Sequence, residues 1–171
     1  MRSHFSFWAL VVALCAASVF APQAARADID LEFTALVGSG VDTGNASNNP
    51  YALQLGGAAE LIISGWVFGV RATRSFGTNS GGSDHVNDLR SIGGDLGYEW
   101  ELWLLHIGPR LGVGQVSEHN GDLKAPYLDP GLVAEIEVGW FVVGADARYR
   151  VAIKDTVANG FLVYGKIGLR F

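Results

Sequence analysis

Eight runs of alternating apolar and polar residues, connections that are long and short by turns, and no helical period predict an all-β fold. The specific expectation is an eight-stranded antiparallel up-and-down transmembrane β-barrel, because strand side chains point alternately to two faces. Only helices and closed barrels satisfy every backbone polar group in lipid. No stretch after residue 27 approaches the roughly 20 apolar residues of a spanning helix.

The first residues read as an export signal. Arg2 supplies a positive start, Phe7 to Ala21 are apolar but for Ser18, and Ala25-Arg26-Ala27 is a small-x-small cleavage site before Asp28. Residues 1–27 are therefore expected to be a signal peptide cleaved after Ala27, and 28–171 one barrel domain. Cys15, the sole cysteine, leaves with the signal, and Leu14 before it is too large for a lipidation site. Of 12 basic side chains Arg2 and Arg26 leave as well, so the mature chain carries 10 against 17 acids, a net charge of −7. No disulfide can staple it. An acidic balance without basic clusters argues against nucleic acid as a partner.

In order, strands are expected at 29–37, 51–62, 66–76, 89–98, 102–116, 127–137, 141–153 and 161–171. The first sets Leu31, Phe33, Ala35 and Val37 against Glu32 and Thr34; the second sets Tyr51, Leu53 and Leu55 against Gln54 and Glu60. The third opposes Trp66, Phe68, Val70 and Ala72 to Arg71 and Thr73, and the fourth Ile92, Leu96 and Tyr98 to Asp95 and Glu99. In the fifth, Trp103, Leu105, Ile107, Leu111 and Val113 oppose His106 and Arg110. The sixth sets Leu132, Ala134 and Ile136 against Glu135 and Glu137, and the seventh sets Phe141, Val143 and Tyr149 against Asp146, Arg148 and Arg150. The last alternates Phe161, Val163, Gly165, Ile167, Leu169 and Phe171 with Tyr164, Lys166 and Arg170.

Residues 38–50, 77–88, 117–126 and 154–160 are rich in Gly, Asn, Asp and Ser and read as loops, whereas 63–65, 99–101 and 138–140 read as tight turns. Long loops at one end and short turns at the other are the layout of a transmembrane barrel. A soluble, lipocalin-like binding barrel is the alternative, and it would turn the apolar face inward. A narrow eight-stranded interior accepts glycines and paired polar groups more readily than rows of Trp, Phe and Leu. Trp66, Trp100, Trp103 and Trp140 all lie beside the tight turns, with Phe171 at the same end, and are expected to form an interfacial aromatic girdle. Tyr51, Phe76, Tyr127, Tyr149 and Phe161 are expected to form the girdle at the loop end.

A closing strand FLVYGKIGLRF that alternates strictly and ends in Phe171 resembles the last strand of bacterial outer-membrane barrels. Residues 29–171 as a whole resemble the small eight-stranded barrels of the OmpA/OmpX type. The resemblance implies the outer membrane of a Gram-negative bacterium, a lipid surround, and recognition of the Phe171 strand by the barrel-assembly machinery. The two-domain members' peptidoglycan-binding domain has no counterpart in the sequence, so cell-wall tethering is not expected. The role implied is structural or interactive at the cell surface, with any extracellular ligand open.

The lumen charges are the main candidate constellation. Arg71, Asp95, Arg110, Asp146, Arg148 and Lys166 lie at similar distances from the tight turns and are expected to form one salt-bridged plug. The alternative is a narrow solute or ion channel through the same layer. Glu135 and Glu137, two apart on one face, are more simply solvated lumen acids than an acid–base pair. Lipid A-modifying barrels offer a third reading. Their deacylases use a His-x-Ser pair, which here occurs only as His4-Phe5-Ser6 inside the signal. Their palmitoyltransferases place His, Asp and Ser near the outer mouth; Ser83, Asp84 and His85 are adjacent loop residues, which do not make a triad without a fold to aim them. His85 and His119 have Asp84, Asp88, Glu118 and Asp122 nearby, without metal-ligand spacing, and read as exposed loop histidines. No catalytic residue, metal or cofactor is expected.

Overall fold

The computed structural model describes residues 29–43, 48–79, 88–118, 124–153, 157 and 159–171. The expected signal peptide lies outside these residues. Nine strand segments follow one another: β1 Ile29–Asp42, β2 Asn48–Ile63, β3 Trp66–Asn79, β4 Leu89–Tyr98, β5 Trp100–Leu102, β6 Leu105–Glu118, β7 Lys124–Val138, β8 Phe141–Ala152 and β9 Gly160–Arg170. β4 and β5 both pair with β6 and make one stave, so the barrel has eight. Every neighbour is antiparallel, and sequence neighbours are spatial neighbours except where β1 closes on β9. Reciprocal backbone bonds between Leu31 and Phe171, at 2.9 and 3.0 Å, complete that seam. Closure removes both sheet edges, which lipid would not tolerate.

Several boundaries differ from expectation. β1 runs on to Asp42, β2 begins at Asn48, and β7 begins at Lys124. Glycine in β1, asparagine and Pro50 in β2 and Pro126 in β7 lower the strand signal there, but ladder pairing with the neighbouring stave overrides a weak local preference. The turn expected at 99–101 also moves. Trp100, Glu101 and Leu102 pair with Ile107, His106 and Leu105, so the reversal falls at Trp103-Leu104, with Trp103 at φ 65°. A bulky residue in that left-handed region is uncommon. At the first tight turn Ser64 and Gly65 both take positive φ, 51° and 83°, which matches the twist of a two-residue hairpin.

The faces sort as the alternation requires. Outward positions expose Phe33, Val37, Phe68, Val70, Ile92, Val143 and Ile167, among others. The inward positions bury Glu32, Glu60, Arg71, Asp95, Arg110, Asp146, Arg148 and Lys166. Two expectations fail at the loop end. Tyr51 and Tyr127 are 0% and 4% exposed and point into the lumen, not into an outer girdle. For Tyr51 the cause is a bulge: between Asn49 and Leu53 four steps along β2 span two along β3, so residues 50–52 leave the ladder and Tyr51 departs from the alternation of its strand. Tyr127 shares the inward parity of Glu135 on β7. The two tyrosines join Leu36, Leu162, Tyr164 and Val116 in a small apolar cluster inside the barrel.

Candidate functional site: the charged lumen

Three groups of buried charge follow one another along the lumen. In the middle group, Arg71 on β3 bonds Asp95 on β4 at 3.1 Å and also bonds Asp146 on β8. Arg148 holds Asp95 through Nη1 and Nη2 at 2.6 and 3.2 Å, and holds both oxygens of Asp146 from Nε at 2.9 and 3.0 Å. Two guanidiniums and two carboxylates thus close a neutral ring. Gly112 makes room for it, since a Cβ there would stand 2.8 Å from both Arg148 Nη1 and Asp95 Oδ1.

Toward the loop end, Arg150 meets Asp129 fork to fork, Nε to Oδ1 at 2.9 Å and Nη2 to Oδ2 at 2.7 Å. The same guanidinium lies 4.2 Å from the Tyr127 ring centroid and 5.9 Å from that of Tyr51. Tyr164 and Ser75 each donate to Gln54 Oε1, at 2.7 and 3.2 Å.

Toward the tight turns the acids outnumber the bases. Lys166 contacts Glu135, Glu32 at 3.2 Å and Glu60 at 3.6 Å. Arg170 bonds Glu32 at 2.6 Å, Glu99 at 3.0 Å, Glu135 at 3.0 Å and, more loosely, Glu137 at 3.4 Å. Arg110 bonds Glu99 at 2.8 Å and approaches Glu60 only to 3.9 Å. His106 lies 3.4 Å from Glu137 and 3.5 Å from Glu99. Both oxygens of buried Glu60 lack a hydrogen bond, as does Glu32 Oε1. The oxygens of Glu32, Glu60 and Glu135 lie within 4.8 Å of one another, the spacing of a metal site. The Lys166 ammonium already touches all three.

Of the six residues expected to form one plug, four meet in the middle ring: Arg71, Asp95, Asp146 and Arg148. Arg110 and Lys166 do not join them; both belong to the turn-end group. Counting residues from the turns ignores the tilt and stagger of barrel staves, which displace equal counts to different heights. Asp129 lies inside the strand expected at 127–137 but is not among the lumen residues expected there; its odd-number parity with Glu135 is the available signal. Glu135, expected as a solvated lumen acid, is instead buried at 1% exposure, and both it and Glu137 face Arg170.

The aromatic residues of the turn end lie as follows. Trp103 and Trp140 are 86% and 71% exposed, Trp140 and Phe171 rings are 6.3 Å apart, and Trp66 and Trp100 each set an edge-on contact with Tyr98. Ser83, Asp84, His85, His119 and Asp122 fall outside the described residues. Asp88 bonds Arg74 at 2.6 Å.

No protein-family model matches the sequence. No curated protein matches it. Solved structures do. Neisserial surface protein A (NspA) superposes with a TM-score of 0.57 at 18% identity, over 83% of this chain and 95% of that one. A major outer membrane protein from Thermus thermophilus gives 0.52 at 12% identity, over 84% and 100%. Ail, the attachment invasion locus protein of Yersinia pestis, gives 0.50 at 14% identity, over 84% and 97%. At these identities the likeness is one of fold: the chain has the closed eight-stranded antiparallel architecture of small outer-membrane barrels.

Proposed function

We propose that the protein is an exported outer-membrane barrel with a structural and surface-interacting role, its lumen closed by charge pairs and carrying no enzymatic site. The observation that carries this reading is the opposition of the two faces. Rows of Phe, Val, Ile and Leu face outward while arginine and carboxylate side chains are buried inside, an arrangement that water outside would penalise and lipid outside rewards. Residues 1–27 direct export, and the strand ending in Phe171 is what the barrel-assembly machinery reads. Trp66, Trp100, Trp103, Trp140 and Phe171 anchor the periplasmic interface, and the long connections face outside. Two structural neighbours, a surface protein and an attachment invasion locus protein by name, support a surface role.

An eight-stranded lumen is just wide enough to be filled by side chains, and the middle ring spans it from β3 to β8. The middle ring, with Arg110 and Lys166 below it, therefore leaves no continuous water path. Two measurements test the reading. Outer-membrane fractions run on a denaturing gel give a faster unboiled band that is lost on heating; an unshifted band with the protein in the soluble periplasm overturns the membrane assignment. Purified protein in planar bilayers gives no steady conductance; a steady, large conductance overturns the closed lumen.

A further inference from the structure

The outward face carries two arginines that barrel formation does not require. Arg74 on β3 and Arg90 on β4 are register partners on the lipid side, although like charges directly opposed weaken an antiparallel pair. Arg74 stands eight residues along β3 from Trp66. At a rise of about 3.3 Å per residue and a tilt near 40°, that is roughly 20 Å up, at the upper margin of an apolar band about 25 Å tall. The Arg74 side chain is 40% exposed, lies 4.8 Å from the Phe76 ring centroid and bonds the carboxylate of Asp88 at 2.6 Å. Its Nε is buried and has no hydrogen-bond partner.

Beneath the two guanidiniums runs a groove. Leu55, Ala72 and Ile92 floor its upper part, with Arg74, Arg90 and Gln115 at the rim. Through Ala72 and Ile92 it continues over Ala35, Gly57 and Ala59, between Phe33 and Val70. Gly57 differs from the lumen glycines. A Cβ there would meet only the Thr34 carbonyl oxygen, at 3.2 Å, whereas one at Gly112 would strike two charged side chains. The lumen does not require a glycine at 57; its smallness deepens the groove.

We infer that this groove seats an anionic lipid of the outer leaflet, its phosphate between Arg74 and Arg90 and an acyl chain along Ala72, Ala59 and Gly57. Guanidinium forks match phosphate oxygens in geometry and charge, and the groove below is apolar, which selects a lipid over a free anion. The inference rests on the outer-membrane reading above.

The test is native mass spectrometry of the folded barrel in detergent, with bis-phosphorylated lipid A as the probe. Its dephosphorylated form and inorganic phosphate serve as comparisons. The wild type retains one lipid A, and retention depends on the phosphates. Arg74→Gln with Arg90→Gln lowers the retained fraction by about tenfold or more, as loss of charge-assisted hydrogen bonds predicts. Ala72→Phe lowers retention with both arginines in place, and Asp88→Asn raises it by releasing Arg74 from its carboxylate. Lys124→Gln removes a cation of the same rim outside the groove and leaves retention unchanged. Equal retention in the double arginine variant, an equal loss in Lys124→Gln, or competition by inorganic phosphate overturns the site. Each variant is first checked for the heat-modifiable band. A wild type without that band overturns the outer-membrane reading and this one with it; an intact barrel with unselective retention overturns the groove alone.

Discussion

Arg71 and Asp146 bond across the full width of the lumen, from β3 to the stave diametrically opposite, β8. Asp95 and Arg148 complete the ring, so each charge has two partners of opposite sign. A buried charge that loses its partner retains its desolvation cost, and this governs how the ring responds to substitution.

Asp95→Leu and Arg148→Met, made singly, should each destabilise the refolded barrel by about 3–5 kcal/mol, the usual cost of leaving a buried charge unpaired. Asp95 loss leaves Arg71 with Asp146 alone. The double variant should cost less than the sum of the two. Urea unfolding from detergent or vesicles gives the cycle, and strict additivity would show that the two side chains are not coupled.

Gly112→Val places its side chain into the contact between Arg148 and Asp95. Overpacking at this point should cost about 1–3 kcal/mol. The effect should shrink when Asp95 is already Ala, because the carboxylate oxygen that a Cβ at 112 would meet is then gone. An undiminished cost in that background would trace the strain to Arg148 and Asp129 instead.

Glu60 and Glu32 make an internal comparison at the turn end. Glu60 has no hydrogen bond and stands 3.6 Å from Lys166 and 3.9 Å from Arg110, in a group where acids exceed bases. Glu32 receives Arg170 through both Nε and Nη2, at 2.8 and 2.6 Å. Glu60→Gln should therefore be neutral or stabilising. Glu32→Gln should cost about 1.5–3 kcal/mol, the range for hydrogen bonds to charged groups. The order of the two midpoints in urea decides it.

Val70 faces outward at mid-height and is 62% exposed. Val70→Arg should destabilise insertion by about 2–4 kcal/mol, as expected for arginine near the bilayer midplane. Reversible refolding into vesicles measures it. A negligible effect would mean that this face is not in hydrocarbon.

The period-2 alternation, the spacing of loops and turns, and the placement of tryptophans are enough to identify an eight-stranded barrel with its apolar face outward. These are properties of residues near one another in the chain, and each strand carries its own copy of the signal. Which charges face inward is largely legible for the same reason: Arg71, Asp95, Arg148 and Lys166 follow from parity alone. Where parity is interrupted it misleads, as at Tyr51 inside the bulge of β2.

Pairing across the lumen is not legible in the same way. Arg110 and Lys166 sit with the glutamates of the turn end, because height in the barrel depends on the stagger between staves, a property of the closed sheet and of no single strand. The same stagger brings Arg74 beside Arg90 and runs Ala72, Ala59 and Gly57 into one groove. Sequence by itself determined the class of fold and the two faces, through local alternation. Tertiary structure decided which charge meets which, because closure sets the register of all eight staves together.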